Sequence, residues 1–425
     1  MIPSSPPTRR YRRCSRRSPH AGECSWLVPF EYSPTTSEVN PTCGAREWTR
    51  SPGRIAVMTS TLTDVLAGAV GALGCELEGL DTHGSTRRLG LPDARRFIVV
   101  LVDGLGHHNL ASRSGHAPFL RRRMADRPDP ITTVSPSTTA AAVTGLGTAL
   151  PPGQTAMAGY SLRDPSTGEP FNLISWNTDL RAEDWQRRDT IGERLERVGR
   201  ELAVVQPAKF LGTGLTNAAW RGGLPIVGES LADRVDAAIA ALERTDSVYL
   251  YWGELDHVGH GRGWQSEAWT GELEMLDAEL SRLARLAPPD TLIIVTADHG
   301  MIDVEERIDV AHVAQLSEGV DLIAGEERAA QIYTRDPEGL AARWRDHLGD
   351  RARVMTKAEW ISSGLLGDVT DQTASAIGDV VAFANGRLGI GDSRFMSAGA
   401  LSITGLHGSL TEEEMLVPCL IEVTS

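Results

Sequence analysis

The chain has 425 residues, of which 41% are hydrophobic, so it is long enough for one large α/β domain or two unequal ones. Its 56 acidic and 42 basic residues give a formal charge of -14, which argues against a protein whose whole surface binds nucleic acid or anionic lipid. An anionic substrate would therefore need local cations, which bound metal ions can supply.

The cysteines and the apolar runs bear on the cellular compartment. Five cysteines without a CxxC pair indicate neither a disulfide framework nor a zinc knuckle. No apolar run approaches the roughly 20 residues that a membrane helix needs. We therefore expect a soluble, cytoplasmic protein and make no prediction of its oligomeric state.

Residues 1–57 differ in composition from the rest of the chain. They are rich in proline and serine and contain a cluster of arginines: Arg9, Arg10, Arg12, Arg13, Arg16 and Arg17. We expect a disordered extension without function, the alternative being a tether to nucleic acid or a membrane surface. Met58, followed by a helical pattern over residues 59–73, is a plausible start of the folded protein, so the natural product could lack the extension.

Apolar strands alternate with amphipathic helices from residue 95 onward. Strands are predicted over residues 97–103, 202–206, 247–252 and 291–296, and helices over residues 190–201, 230–244 and 266–286. This alternation predicts an α/β fold in which a mostly parallel central sheet carries helices on both faces. Residues 58–425 would form one catalytic domain, which the strand-like residues 416–424 would complete.

Residues 305–400 are less regular, and we interpret them as a smaller inserted lid or subdomain. A helix is predicted near residues 337–347, and strands over residues 330–334 and 380–384.

Three predicted strands are followed by an aspartate at or just beyond their carboxyl ends: Asp103, Asp256 and Asp298. A single acid at such a point is usually a turn or cap residue. Ligands of open α/β sheets, however, bind beyond the carboxyl ends of strands, so three acids would converge on one rim. Converging carboxylates repel one another unless cations lie among them.

Three histidines accompany these aspartates. His260 follows Asp256 by four residues in DHVGH, His299 follows Asp298 directly in TADHG, and His407 lies in GLHGS. A carboxylate and an imidazole four residues apart can share one side of a turn. Oxygen and nitrogen ligands without thiolates favour zinc, with manganese or iron as alternatives, over calcium or magnesium.

The segment PSTT, residues 136–139, has the pattern of a capped helix start. A hydroxyl at a helix N-terminus also lies near free backbone N–H groups, which stabilise an alkoxide and incoming phosphoryl oxygens.

Five motifs follow one another along the chain: VDG, PSTT with TALPPG, DHVGHG, TADHGM, and GLHGS with EEEMLVP. Together and in this order, they resemble the alkaline phosphatase superfamily, and within it the type I phosphodiesterase and nucleotide pyrophosphatase family. The resemblance covers residues 95–425. It implies two divalent metal ions, one held by Asp256, His260 and His407 and the other by Asp103, Asp298 and His299 together with Thr139. It also implies that Thr139 is the nucleophile, with Thr138 as the alternative.

The implied reaction is hydrolysis of a phosphodiester or nucleotide pyrophosphate through a covalent phosphothreonine, on a small phosphorylated substrate such as a nucleotide. One departure concerns the substrate, because Ala142 stands where the family has an asparagine that contacts phosphate. A phosphomonoesterase, a phosphonate hydrolase, a phosphomutase or a non-catalytic metal-binding protein therefore remain alternatives. Glu412, Glu413 and Glu414 are interpreted as a solvated face, and Tyr251 as a core residue.

Overall fold

The computed structural model describes residues 60–425, so the predicted extension at residues 1–57 lies outside the described residues. The strands, in chain order, are β1 (Arg96–Val102), β2 (Ile131–Thr132), β3 (Ser161–Arg163), β4 (Pro170–Asn172), β5 (Leu202–Gln206), β6 (Leu224–Val227), β7 (Ser247–Trp252), β8 (Thr291–Thr296), β9 (Ile302–Asp303), β10 (Glu306–Asp309), β11 (Leu322–Glu326), β12 (Ala329–Tyr333), β13 (Ala352–Thr356), β14 (Val380–Ala384), β15 (Leu388–Gly391), β16 (Gly405–Leu406), β17 (Leu416–Val417) and β18 (Cys419–Val423).

The α-helices, in chain order, are α1 (Thr63–Ala72), α2 (Thr82–Leu89), α3 (His107–Arg113), α4 (Pro118–Asp126), α5 (Thr139–Thr148), α6 (Pro152–Thr155), α7 (Ala182–Trp185), α8 (Ile191–Arg197), α9 (Gly214–Ala219), α10 (Leu231–Ala241), α11 (Glu254–Arg262), α12 (Glu267–Leu286), α13 (Ala314–Ser317), α14 (Pro337–Leu348), α15 (Lys357–Ser362), α16 (Asp371–Ala376) and α17 (Glu412–Met415). Within residues 60–425, no helix has both the length and the hydropathy of a membrane-spanning segment.

The central sheet has six strands in the order β18, β8, β1, β7, β5, β6. Five of them are parallel, and β18 pairs antiparallel with β8 at one edge. Strands β1, β5 and β8 are apolar runs that are almost entirely buried, because helices cover both faces of a parallel sheet. The predicted fold class is confirmed, as is the return of the C-terminal run to the sheet.

Hydroxyl residues set the starts of the predicted helices. Thr190, Ser230 and Ser266 are N-caps whose side chains accept a backbone N–H bond, so α8, α10 and α12 each begin one residue later than predicted. α8 and α10 also end earlier than predicted, at Arg197 and Ala241. The apolar periodicity continues past Arg197 and Ala241, but the residues that follow form turns. An apolar pattern does not distinguish such turns from a helix.

Residues 305–400 contain a second, antiparallel sheet in the order β11, β12, β14, β13. The predicted helix and two strands of this region correspond to α14, β12 and β14. One group of apolar residues in the sheet packs with Trp344 of α14, and a second packs with Trp185 and Phe171 from outside the region. This segment, here called the subdomain, is thus packed on two separate apolar clusters. Its action as a lid stays a prediction.

Candidate active site

Asp103, Asp256 and Asp298 meet at the carboxyl end of the central sheet. Asp103 directly follows β1, Asp298 lies two residues beyond β8, and Asp256 lies in the first turn of α11 after β7. The backbone N–H of Gly104 donates to Asp298 Oδ1 at 3.1 Å, which joins the ends of β1 and β8 directly. The prediction that the three acids converge on one rim is confirmed.

A glycine permits this close approach. Gly104 has φ +74°, and a Cβ there would lie 3.1 Å from both Cα and Cβ of Asp256. Only glycine adopts this backbone conformation without strain while leaving room for the neighbouring helix. Gly104 therefore brings α11, with Asp256, against the end of β1.

Asp256, His260 and His407 form what we call the outer cluster. Asp256 Oδ2 lies 3.2 Å from His260 Nε2, and Asp256 Oδ1 lies 3.8 Å from His407 Nε2. The three side chains offer ligand atoms that all lie within 4.8 Å of one another. The sequence predicted this set of three, and the fold brings it together from α11 and the loop after β16.

Asp103, Asp298 and His299, together with Thr139, form what we call the inner cluster. His299 Nε2 lies 3.4 Å from Asp103 Oδ1 and 3.4 Å from Asp298 Oδ2. Thr139 Oγ1 lies 3.1 Å from the same Nε2 atom. Asp256 also lies within 4.8 Å of Asp103 and His299 by its ligand atoms, so this carboxylate stands between the two clusters.

Backbone carbonyls fix the histidine rings. The Nδ1 atoms of His260, His299 and His407 face the carbonyl oxygens of Gly405 at 2.6 Å, Gly300 at 3.1 Å and Ser137 at 3.0 Å. A carbonyl oxygen only accepts, so each Nδ1 carries a proton. The Nε2 atoms, which point into the site, are therefore the nitrogens free to bind a cation.

Thr139 begins α5, and Thr138 is its N-cap residue with extended backbone angles. The N-cap side chain makes no capping hydrogen bond, so the first N–H groups of α5 are not covered by it. The Thr139 hydroxyl thus lies at the positive end of a ten-residue helix, beside amides that the N-cap side chain leaves uncovered, as an oxyanion would require.

Burial and mutual charge shift the pKa values of the clusters in different directions. Burial raises the pKa of Asp103 well above its usual value, and the charges of Asp298 and Asp256 add to this. Burial likewise raises the pKa of Asp298. Burial would also raise the pKa of Asp256, but the charges of His260 and His407 outweigh it and lower that pKa.

The histidines of the outer cluster also diverge. Burial opposes protonation of His260, but Asp256, by its charge and its hydrogen bond, raises the pKa of His260 to about 9. Burial and the neighbouring His299 instead hold the pKa of His407 well below its usual value. The site therefore contains two carboxylates in the inner cluster that resist ionisation and one carboxylate in the outer cluster that favours it.

Several buried oxygens show that cations would fit here. Asp103 Oδ1, Asp256 Oδ1 and Asp298 Oδ2 are buried and have no hydrogen-bond partner among the described residues. Buried polar atoms are normally paired, so three unpaired carboxylate oxygens facing imidazole nitrogens require an explanation. Divalent cations would satisfy them, and the oxygen and nitrogen donor set suits zinc, manganese or iron.

Sequence reasoning missed two neighbours of the site. Tyr251 Oη donates to Asp103 Oδ2 at 2.5 Å, and the parallel register pairs Tyr251 with Leu101, two residues before Asp103. That register could have suggested the contact once β1 and β7 were known to be adjacent.

The interpretation of residues 412–414 as a solvated face is wrong for Glu414, which is fully buried in an ion pair with Arg328.

The structure also bears on Ala142, the position at which the sequence departs from the family pattern. Ala142 is fully buried among the main core residues, and its amide donates to the carbonyl of Thr138, the N-cap residue of α5. A methyl group at this position offers no polar contact to a phosphoryl group.

Comparison with known proteins agrees with this geometry. A family model described as type I phosphodiesterase/nucleotide pyrophosphatase matches residues 97–409. No curated protein sequence matches the chain.

Solved structures share the fold. Human ectonucleotide pyrophosphatase/phosphodiesterase 5 has 18% identity and a TM-score of 0.60, covering 77% of this chain and 87% of its own. An inactive variant of the murine protein in complex with AMP has 18% identity and a TM-score of 0.59, over 77% of this chain and 87% of its own. Phosphonoacetate hydrolase from Sinorhizobium meliloti in complex with phosphonoacetate has 22% identity and a TM-score of 0.58, over 79% and 91%.

Proposed function

Because the chain belongs to the type I phosphodiesterase and nucleotide pyrophosphatase family, we propose that it hydrolyses phosphodiester or nucleotide pyrophosphate bonds with Thr139 as the nucleophile. The observation that carries this proposal is the 3.1 Å contact between Thr139 Oγ1 and His299 Nε2, beside three buried carboxylate oxygens that have no hydrogen-bond partner within residues 60–425.

Two divalent cations, zinc being the ion that the donor set favours, are part of the proposal. Asp256, His260 and His407 would hold one of them. Asp103, Asp298 and His299 would hold the other, together with Thr139. When bound, such ions lower the pKa of a hydroxyl and neutralise charge on a phosphoryl group.

The remaining chemistry belongs to the chain itself. Thr139 Oγ1 gives its proton to solvent and forms a bond to phosphorus while the bond to the leaving group breaks, and the leaving oxygen takes the electron pair. The free amides at the start of α5 stabilise the negative phosphoryl oxygens. Water then attacks phosphorus, and Thr139 departs and regains a proton. Two in-line displacements give overall retention at phosphorus.

A second candidate is phosphonate hydrolysis on the same scaffold, and Ala142 favours it. The buried methyl group of Ala142 cannot make the polar phosphate contact that the diesterases of the family make at that position. The structural neighbour from Sinorhizobium meliloti binds phosphonoacetate. Substrate selection would then rest on other residues, and we place it in the subdomain at residues 305–400, acting as a lid on the single catalytic domain.

A small phosphorylated substrate, nucleotide or phosphonate, is the expected partner. Cys75 and Cys419 are both free and buried, which agrees with a reducing compartment, and a cytoplasmic location is part of the proposal.

The test is a substrate panel on the protein loaded in turn with zinc, manganese or iron. It contains bis-p-nitrophenyl phosphate, p-nitrophenyl phosphate, a nucleotide pyrophosphate and phosphonoacetate. We expect the diester to turn over faster than the monoester, and acid quenching to trap a phosphoryl group on the peptide that carries Thr139. Faster monoester cleavage would overturn the diester assignment, and preferred turnover of phosphonoacetate would establish the second candidate.

A further inference from the structure

Arg328 and Glu414 form an ion pair that is wholly removed from solvent. Both side chains are 0% exposed. Arg328 Nε donates to Glu414 Oε1 at 3.0 Å, and Arg328 Nη2 donates to Glu414 Oε2 at 2.7 Å. Arg328 lies in the turn between β11 and β12 of the subdomain, whereas Glu414 lies in α17, so the pair joins two parts of the fold that are 86 residues apart.

Glu414 makes further contacts that use its remaining hydrogen-bonding capacity. Its Oε1 accepts the backbone N–H of Ser409 at 3.0 Å, and its Oε2 accepts the Thr411 hydroxyl at 2.6 Å. Its carbonyl oxygen accepts the N–H of Gly300 at 2.9 Å. Gly300 directly follows His299. Glu414 therefore contacts both the segment next to the inner cluster and the turn that follows His407.

Ser409 continues the connection toward the outer cluster. Its carbonyl accepts the Ser137 hydroxyl at 2.7 Å, and Ser137 Oγ in turn accepts the Gly408 N–H at 3.2 Å. The carbonyl of Ser137 faces His407 Nδ1 at 3.0 Å. Ser137 lies two residues before Thr139, so this series of hydrogen bonds ends at both the nucleophile segment and a proposed ligand.

Burying this ion pair costs free energy of desolvation. Removing two charges from water is expensive, and a buried ion pair is often no more stabilising than apolar residues of the same volume. Here the carboxylate has four donors, two from Arg328 and one each from Ser409 and Thr411. Such fully satisfied networks restrict the geometry of the groups they join.

We propose that Arg328 and Glu414 are positioning residues, through which the subdomain fixes the His407 loop, the His299 turn and the Thr139 segment in the geometry that binds metal. This inference rests on the proposed function in one respect, the identity of the metal ligands. It adds that the subdomain affects metal binding through a contact that touches neither metal nor substrate.

The test replaces the pair by apolar residues in the double variant Arg328→Met with Glu414→Leu. Three quantities are measured for it and for the wild-type protein: the midpoint of urea unfolding, the zinc affinity by competition with a chromophoric chelator, and kcat and KM for the best substrate of the panel. Apolar replacement leaves no unpaired charge, but the Ser409 N–H and the Thr411 hydroxyl lose their acceptor, so we expect a modest fall in the midpoint. Residues that orient metal ligands typically contribute 10- to 100-fold, so we expect zinc affinity and kcat to fall by about that factor.

Asp379→Asn is the matched control. Asp379 pairs with Lys357 and accepts the N–H of Thr334 within the subdomain, so this variant weakens the subdomain without touching the Glu414 network. We expect it to keep wild-type zinc affinity. Equal losses in the control would show that general destabilisation is the cause and would overturn the proposal, as would wild-type affinity and kcat in a folded double variant.

Arg328→Lys covers the case in which the double variant does not fold. It keeps the charge but loses the two parallel hydrogen bonds, so we expect a loss of zinc affinity of about tenfold; wild-type affinity would overturn the proposal. The affinity measurement also separates the two claims. If the wild-type protein binds zinc but hydrolyses nothing in the panel, the proposed function fails while the affinities still decide the positioning role.

Discussion

The inner and outer clusters use the same kinds of side chain in opposite electrostatic balance. The side chains of Asp298 and His299 are 0% exposed, whereas His260 is 27% exposed. The inner cluster sets two carboxylates against one imidazole, and the outer cluster sets one carboxylate against two imidazoles. Burial, with added repulsion from neighbouring carboxylates, raises the pKa values of the inner acids, while the charges of His260 and His407 stabilise the ionised form of Asp256 in the outer cluster. A bound cation should therefore stabilise the inner cluster more than the outer cluster.

The largest expected effect concerns the hydroxyl of the inner cluster. Thr139→Ala removes the proposed nucleophile, so turnover of the best substrate should fall by at least about 10³-fold. Zinc content, measured by mass spectrometry of the metal, should remain at two ions or fall by no more than one. Thr138→Ala is the matched comparison, since Thr138 is the adjacent hydroxyl and the alternative nucleophile; a loss in this variant alone would assign the nucleophile to Thr138, and comparable losses in both would leave Thr139 without a special role.

Metal removal should destabilise the protein next most strongly. An ion present at a thousandfold excess over its Kd stabilises the native state by about 4 kcal/mol. A strong chelator should therefore lower the urea midpoint, and returning one equivalent of zinc should restore most of the loss because the inner cluster fills first. Equal recovery from the first and second equivalents would mean that the two clusters do not differ in their need for a cation.

Neutral replacements of single acids should change the stability of the metal-free protein in opposite directions. Asp298→Asn relieves repulsion in the inner cluster and keeps an oxygen to accept from Gly104, so the free energy of unfolding should rise by about 1–3 kcal/mol. Asp256→Asn breaks the favourable pair with His260, so the same quantity should fall by a similar amount. Urea titrations after chelation measure both, and shifts of the same sign would refute the electrostatic contrast.

The pH dependence, taken per pH unit, is the smallest effect. Because the pKa of His260 is raised to about 9 from an ordinary value near 6.5, its contribution to the stability of the metal-free protein is present below about pH 6.5. That contribution is lost as the pH rises to about 9.

A metal ion requires the deprotonated Nε2 atom, so its affinity for the outer cluster should instead rise with pH, by about tenfold per unit in this window. Chelator competition at several pH values measures the slope. His260→Gln should abolish the decline in metal-free stability between about pH 6.5 and 9, and a retained decline would assign the titration to another group.

Much of the fold and the candidate site could be predicted from the sequence because the information is local. Buried parallel strands are continuous apolar runs, and the predicted bounds of β5, β7 and β8 match the structure. The acids at or beyond strand ends follow from the same pattern, since parallel strands present their carboxyl ends on one side of a sheet. Their spacing to three histidines followed from the sequence as well, and the family motifs then indicated which histidine would share a metal with which acid.

Tertiary structure alone decided how these residues are held. Asp256 stands between both clusters because Gly104 lets α11 approach the end of β1, and Tyr251 reaches Asp103 because β1 and β7 are neighbours. Glu414 lies in a run of three acids that has the pattern of a solvated face, yet Arg328 from the subdomain buries it. Strand and turn patterns depend on residues close in sequence, whereas the burial of a charge depends on a partner 86 positions away, which no local pattern records.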